Sequence, residues 1–352
     1  MLSRVEEDPL KMSTPRSATL QQIAADLGLH VSTVSRILNA SAADGAKAAS
    51  AKTVARVRAY AKEVDYRPNP LGTGLRTKRT NQIATLVPRL SDLVLSTIFE
   101  GIDEAATEIG LTAFVTNTFD DPAVQEQKIQ LAISRKVDGV ILGDSRLDGA
   151  AADELRHRGV PYVLVNRTAP GHTSITCDDH LGGRLAAEHL LSNGHRTVGV
   201  IAAQPYASTG IDRCGGFTQC FAEHGYPVPE ELLAHCGFDA ESGAEAADRL
   251  LRARPGITGL FAVNDFAAIG AMSAAREHGR TVGNDLAVVG FNDISIARQL
   301  AVPLSSVRSD MHGMGRQAVA TLARIIAGEN PESRSLPPEL VVRASSDFGV
   351  TE

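Results

Sequence analysis

Tryptophan is absent from this sequence, aromatic residues make up only 4% of it, and cysteine occurs four times in 352 positions. So few aromatics exclude a broad platform for stacking single-stranded nucleic acid. The cysteines Cys177, Cys214, Cys220 and Cys236 show no C-x-x-C spacing, and no histidine pair at metal-ligand spacing accompanies them. Neither a disulfide framework nor a metal centre is therefore expected, and the thiols are read as reduced and packed. No apolar run approaches the roughly 18 residues that span a bilayer, and the opening MLSRVEEDPLKM lacks the apolar segment of a secretory signal. A cytoplasmic chain with no membrane partner is expected. Enzyme signatures are missing as well: there is no P-loop and no G-x-S-x-G, and the GTG at 72–74 precedes a basic stretch instead of following a strand. Asp178 and Asp179 are neighbours that would diverge from a strand end, so they make no acid–base pair. No catalytic residue and no cofactor is assigned.

What is present is an uneven charge. From Arg16 to Thr80 there are eleven Lys or Arg against four Asp or Glu, a local charge of +7, which leaves −13 for the remainder of a chain that totals −6. A basic segment on an acidic body points to a polyanion as partner for that segment alone.

Residues 1–17 mix charge, Pro and Ser without periodicity and read as a flexible tail. Thr19 is placed to cap a short helix with Leu20, Ile23, Ala24 and Leu27 on one face, which Gly28 stops. A second apolar set, Val31, Val34, Ile37 and Leu38, again has helical spacing, so the two form a helix-turn-helix pattern. A Ser50-capped helix with Val54, Val57, Ala61 and Val64 inward completes a three-helix head over 18–66. The DYRPNP segment then breaks regular structure and opens a hinge over 67–80.

Beyond Thr80 one theme repeats: an apolar run, a polar residue at its end, then an amphipathic helix. The runs IATLV, TAFVT, GVIL, YVLV, TVGVI, GLFAV and LAVVG predict parallel sheets covered on both faces. There are too many for one sheet. The reading is an α/β body over 81–348 with two doubly wound lobes, one formed by about 81–178 and 307–333, the other by about 179–306 and 334–348. Ligands bind beyond the C-terminal strand ends of such sheets. Asp92, Asn117, Asp144, Asn166, Asn264, Asp265, Asn292 and Asp293 stand there, and they suit hydrogen bonding to a small polar ligand as well as capping of the helices that follow.

The strings TLQQIAADLGLHVSTVSRILN (19–39), VDYRPNPLGTGLRTKRTNQIATLVP (64–88), VDGVIL, GGRLAAEHLLSNGHRTVGVI, RCGGF, FAVNDFAAIGA and VVGFNDISIARQLAVPLSSVR resemble the lactose and galactose repressor family of bacterial transcription regulators. The resemblance covers essentially Thr19 to Phe348. It implies a periplasmic-binding-protein-like body behind an all-α DNA-binding head, and a recognition helix carrying Thr33, Val34, Ser35 and Arg36. Val31, Ser32 and Arg36 are expected at base edges, with Thr19, Ser35 and Asn39 at phosphate or positioning contacts. Leu75 matches the family's minor-groove wedge, and Arg76 is placed to hold a flanking phosphate. In the body it implies effector contacts at Leu95, Asn166, Thr209, Arg213, Phe238, Asn264 and Asn292. Two departures stand out: Val94 and Leu95 replace a frequent aromatic pair, and Asn292 replaces a frequent Asp.

The expected function is thus a homodimeric, ligand-gated regulator on a palindromic double-stranded operator, repression being the commoner mode in that family, with a sugar or sugar-acid-like metabolite as effector. A solute-binding protein of a transport system shares the two-lobed body and is the alternative. The basic head and the missing signal sequence argue against it.

Overall fold

A computed structural model of the chain describes residues 18–39, 49–66 and 79–347. The hinge core 67–78, the tail 1–17, Leu75 and Arg76 lie outside the described residues. The chain divides into two compact units, 1–80 and 81–352.

In the first unit, α1 (Leu20–Leu27) starts where the Thr19 side chain accepts from the Gln22 amide at 3.2 Å and stops at Gly28, whose φ of +62° is left-handed. Glycine holds that conformation without a Cβ clash. Then come α2 (Val31–Asn39) and α3 (Ala51–Glu63), the latter capped by Ser50. Ile23, Ala24, Val34, Ile37, Val54, Val57 and Ala61 form their shared core. Two polar ties fix α3 against α1: the Tyr60 hydroxyl donates to Asp26 at 2.8 Å, and Arg56 donates to the Leu27 carbonyl at the end of α1.

The second unit holds two six-stranded sheets. The first contains β1 (Gln82–Val87), β2 (Thr112–Asn117), β3 (Gly139–Leu142), β4 (Tyr162–Val165), β5 (Ser174–Cys177) and β11 (Arg334–Leu336), all parallel, in the order β11-β5-β4-β3-β1-β2. The second contains β6 (Val198–Ala202), β7 (Leu233–His235), β8 (Gly259–Ala262), β9 (Ala287–Asn292), β10 (Ser305–Arg308) and β12 (Glu339–Val341), in the order β12-β10-β9-β8-β6-β7. Its pairs are parallel except for the antiparallel β10–β12 edge. Helices α4 (Leu93–Glu108), α5 (Pro122–Ser134), α6 (Ala150–His157) and α11 (Met311–Ile326) accompany the first sheet. Helices α7 (Asp179–Ser192), α8 (Ser208–Glu223), α9 (Ala240–Ala253) and α10 (Asp265–Glu277) accompany the second.

The chain crosses between lobes three times: at Asp178, after Arg308, and at Pro337–Pro338. The expected boundaries after 306 and 333 therefore move two or three residues on. Val307 and Arg308 still pair with β9, and Arg334–Leu336 pair with β5 of the first lobe. Glycines set the helix packing within each lobe. A Cβ on Gly216 would overlap the His180 carbonyl and one on Gly183 the Arg213 carbonyl, so α7 and α8 meet backbone to backbone; Gly101 and Gly315 do the same for α4 and α11. Among the described residues no helix is long and apolar enough to cross a membrane. All four cysteines are free, and burial pushes the Cys177 thiol up to about 12 and those of Cys214 and Cys236 up to about 11, which keeps them protonated.

Candidate functional site

Between the lobes of the body lies a cavity of about 550 Å³. All seven residues singled out in the body line it. Leu95 comes from α4, Asn166 from the end of β4, Thr209 and Arg213 from α8, Phe238 from the β7–α9 link, Asn264 from the cap of α10, and Asn292 from the end of β9. Both Asn166 and Asn292 have left-handed backbones, with φ of +67° and +102°. Asparagine tolerates that region better than most residues, so its place at these strand ends has a conformational reason as well as a chemical one.

Several of these side chains already have internal partners. Arg213 is 4% exposed; its Nε donates to Asp179 at 2.7 Å, its Nη1 to the Val263 carbonyl at 2.7 Å, and its guanidinium lies 3.8 Å from the Phe291 ring centroid. Burial pushes the Asp179 carboxyl up to about 6 while Arg213 pulls it down, so the pair is charged at neutral pH. Asp178 points elsewhere and caps α7 by accepting from Leu181 at 3.0 Å. Asn264 accepts from the Ala267 amide at 2.7 Å and donates to the Phe238 carbonyl at 3.0 Å, fixing the loop that carries the Phe238 ring. Asn292 accepts from Ser309 at 3.3 Å, beside the second lobe crossing.

The cavity also recruits residues that the sequence reading did not assign to it: Arg89, Asp120, Arg167, Tyr206, Asp239 and Phe266. Arg167 makes a bidentate pair with Asp120 at 2.6 and 3.1 Å, 4% and 17% exposed, and sits 5.2 Å from the Phe238 ring centroid. Asp92, noted at its strand end but not assigned, also lines the cavity. One of its oxygens caps α4 through the Val94 amide at 2.9 Å, and burial raises its carboxyl above the ordinary range. The only signal for these residues was position after a strand. Among the described residues no cluster of His, Cys, Asp or Glu could hold a metal ion.

In the head, Val31, Ser32 and Arg36 are exposed on α2, whereas Thr33 and Ser35 are half-buried. Arg36 leans back to the Ser32 carbonyl at 3.4 Å. His30 stands at the start of α2, with Nδ1 2.7 Å from the Ser32 hydroxyl and 3.3 Å from its amide, so an imidazole takes the capping place there. Thr19 caps α1, its hydroxyl accepting from the Gln22 amide. The Asn39 side chain lies outside the described residues.

Family models match in the same two places: bacterial regulatory proteins of the lacI family over residues 19–69, and a periplasmic binding protein-like domain over 187–346. The HTH-type transcriptional regulator DegA of Bacillus subtilis (strain 168) is 32% identical over 335 residues, 93% of this chain and 98% of DegA. This chain belongs to the lacI family of bacterial regulatory proteins. The HTH-type transcriptional repressor PurR of Haemophilus influenzae (strain PittEE) is 28% identical over the same shares. Among solved structures, the lac repressor dimer bound to operator and the anti-inducer ONPF matches with a TM-score of 0.83 and 25% identity, covering 94% of this chain and 99% of that one. The transcriptional regulator CelR in complex with cellobiose matches at 0.72 and 29%, covering 93% and 99%. The chain is thus a DNA-binding, ligand-responsive transcriptional regulator, with the head and two-lobed body of its family, and not an enzyme.

Proposed function

We propose that this lacI-family regulator is a cytoplasmic repressor that grips a palindromic operator as a homodimer and is gated by a small, uncharged, hydroxyl-rich metabolite in the interlobe cavity. The observation that carries the effector reading is the pairing of both buried arginines. Arg213 is matched by Asp179 and Arg167 by Asp120. A carboxylate or phosphate ligand would have to share these cations with the carboxylates already on them. Of the expected pair of sugar or sugar acid, the neutral sugar is therefore favoured. Asp92 supports this, because a half-buried carboxylate in the cavity lining accepts from a hydroxyl and repels an anion. Arg213, Asn166, Thr209 and Asn292 would orient the ligand, while Leu95 and Phe238 cover its apolar faces.

On the DNA side, the proposed base contacts are Val31, Ser32 and Arg36, with Thr19, Thr33, Ser35 and Asn39 in supporting contacts. Leu75 is the proposed wedge and Arg76 its flanking phosphate contact. Two-fold symmetry of the relatives' type makes the site palindromic. A ligand that alters the lobe angle would alter the spacing of the two hinges, and so the stability of the paired heads on DNA. The transport-protein alternative shares only the body, and the match of the head over 19–69 sets it aside. A thermal-shift screen of neutral sugars against sugar acids tests the effector reading. Stabilisation by neutral compounds is expected; stabilisation by acids alone overturns the charge argument.

A further inference from the structure

The three lobe crossings leave from one side of the body. In the first sheet they involve β5 and β11, in the second β10 and β12, the neighbouring strands at one end of each sheet order. Away from that side, contacts across the cleft converge on Tyr206, which follows β6 in the second lobe and is half-buried. Its carbonyl accepts from the Leu147 amide at 3.1 Å. Its hydroxyl donates to Asp120 at 3.3 Å. Its ring centroid lies 4.3 Å from the Arg146 guanidinium carbon and 5.7 Å from that of Arg167. All four partners belong to the first lobe, and they come from the ends of β2, β3 and β4.

The surroundings are built to hold these partners. Arg167 fixes both oxygens of Asp120. Phe119 and Asp120 have φ of +59° and +56°, a region that costs a non-glycine residue free energy and persists only when neighbours enforce it. Two residues beyond Tyr206, Ser208 at the start of α8 accepts from the Thr168 amide at 2.8 Å, a third bond across the cleft. Ordinary lobe packing would spread its contacts over many side chains. Here one residue of the second lobe takes a main-chain bond, a side-chain bond and two cations from the first.

We propose that Tyr206 is the pin of an interlobe latch opposite the hinge strands, so that opening the cleft requires its release and the side chain sets the opening equilibrium. This names the regulation of the cavity proposed above, but the latch consists of protein groups alone and does not depend on which ligand the cavity takes. The two cross-cleft amides report on it directly. Leu147 N–H and Thr168 N–H donate only across the lobes, whereas Val263 N–H to Ile201 and Asp138 N–H to Gln82 lie within one lobe each.

Amide hydrogen exchange of the full chain is the test, with no ligand added. Leu147 and Thr168 should be protected together in the wild type. Tyr206→Ala should speed both by on the order of tenfold or more, with Val263 and Asp138 unchanged. Tyr206→Phe, which loses only the Asp120 bond, should speed them by roughly fivefold and keeps the test informative if the alanine variant folds poorly. Cross-cleft amides that are unprotected in the wild type, or whose exchange ignores both substitutions, overturn the latch. Neither result bears on the effector's chemistry.

Discussion

Replacing Arg213 by methionine isolates the buried ion pair at the cavity floor. The substitution keeps an unbranched apolar stem but leaves Asp179 without a cation, the Val263 carbonyl without a donor and the Phe291 ring without its guanidinium. Removing one partner of a buried pair costs about 3–5 kcal/mol, chiefly because a charge is left uncompensated. For a body of this size that corresponds to a fall in Tm of roughly 6–20 °C, at about 2–4 °C per kcal/mol. The loss should depend on pH in a defined direction. Asp179 is already pushed up to about 6 with Arg213 beside it, and without Arg213 it is pushed higher. A carboxyl with a raised folded pKa contributes stability below its unfolded value and loses it as pH rises through the folded one. Arg213→Met should therefore be worst above about pH 7 and milder toward about pH 5. Adding Asp179→Leu should recover most of the loss, since an apolar pair replaces a charged one. Urea unfolding of the three variants across pH is the assay. A single variant that loses less than about 1 kcal/mol, or a double variant no better than the single, would refute the reasoning.

Gly216→Ala forces a Cβ into the His180 carbonyl where α7 and α8 meet; a destabilisation of at least about 1–3 kcal/mol by chemical denaturation is expected. Asp265 is buried, its carboxyl is pushed up to about 7, and it accepts from Ser306 at 2.5 Å and from the Ile294 amide at 2.8 Å. Its contribution is present below its ordinary 3.8 and lost as pH rises to about 7, so Asp265→Asn should flatten the fall of stability over that window. Thr19→Ala removes the cap of α1 and should cost the head about 1 kcal/mol in thermal unfolding followed by circular dichroism.

The head was legible because its signals are local. Thr19, Gly28 and Ser50 mark helix ends by their own chemistry, and the apolar spacing of Ile23, Val34 and Ile37 is the core itself. Seven strands announced themselves as apolar runs for the same reason. The strands SITC, LAH, SSVR, RSL and ELV did not, being short and partly polar, and they hold their places through pairing with neighbours. This is also why the lobe boundaries fell a few residues early. In the cavity, single positions after strands were readable but partnerships were not. Arg167 and Asp120 are 47 residues apart and Arg213 and Asp179 are 34 apart, so only the folded packing of strands and helices brings them together. That pairing leaves Arg213, expected as an effector contact, already matched by a carboxylate of the protein.

The central claim joins a DNA-binding head to a ligand-sensing body, and it is tested most directly by operator affinity. Duplexes selected from a random pool by the full chain should be enriched in an inverted repeat. The affinity for that duplex should then be measured with and without the neutral compound that most stabilises the body. A change of about five- to 150-fold is predicted, the range of typical coupling between sites. An operator affinity that stays the same at saturating compound, or a pool with no enriched sequence, would contradict the account.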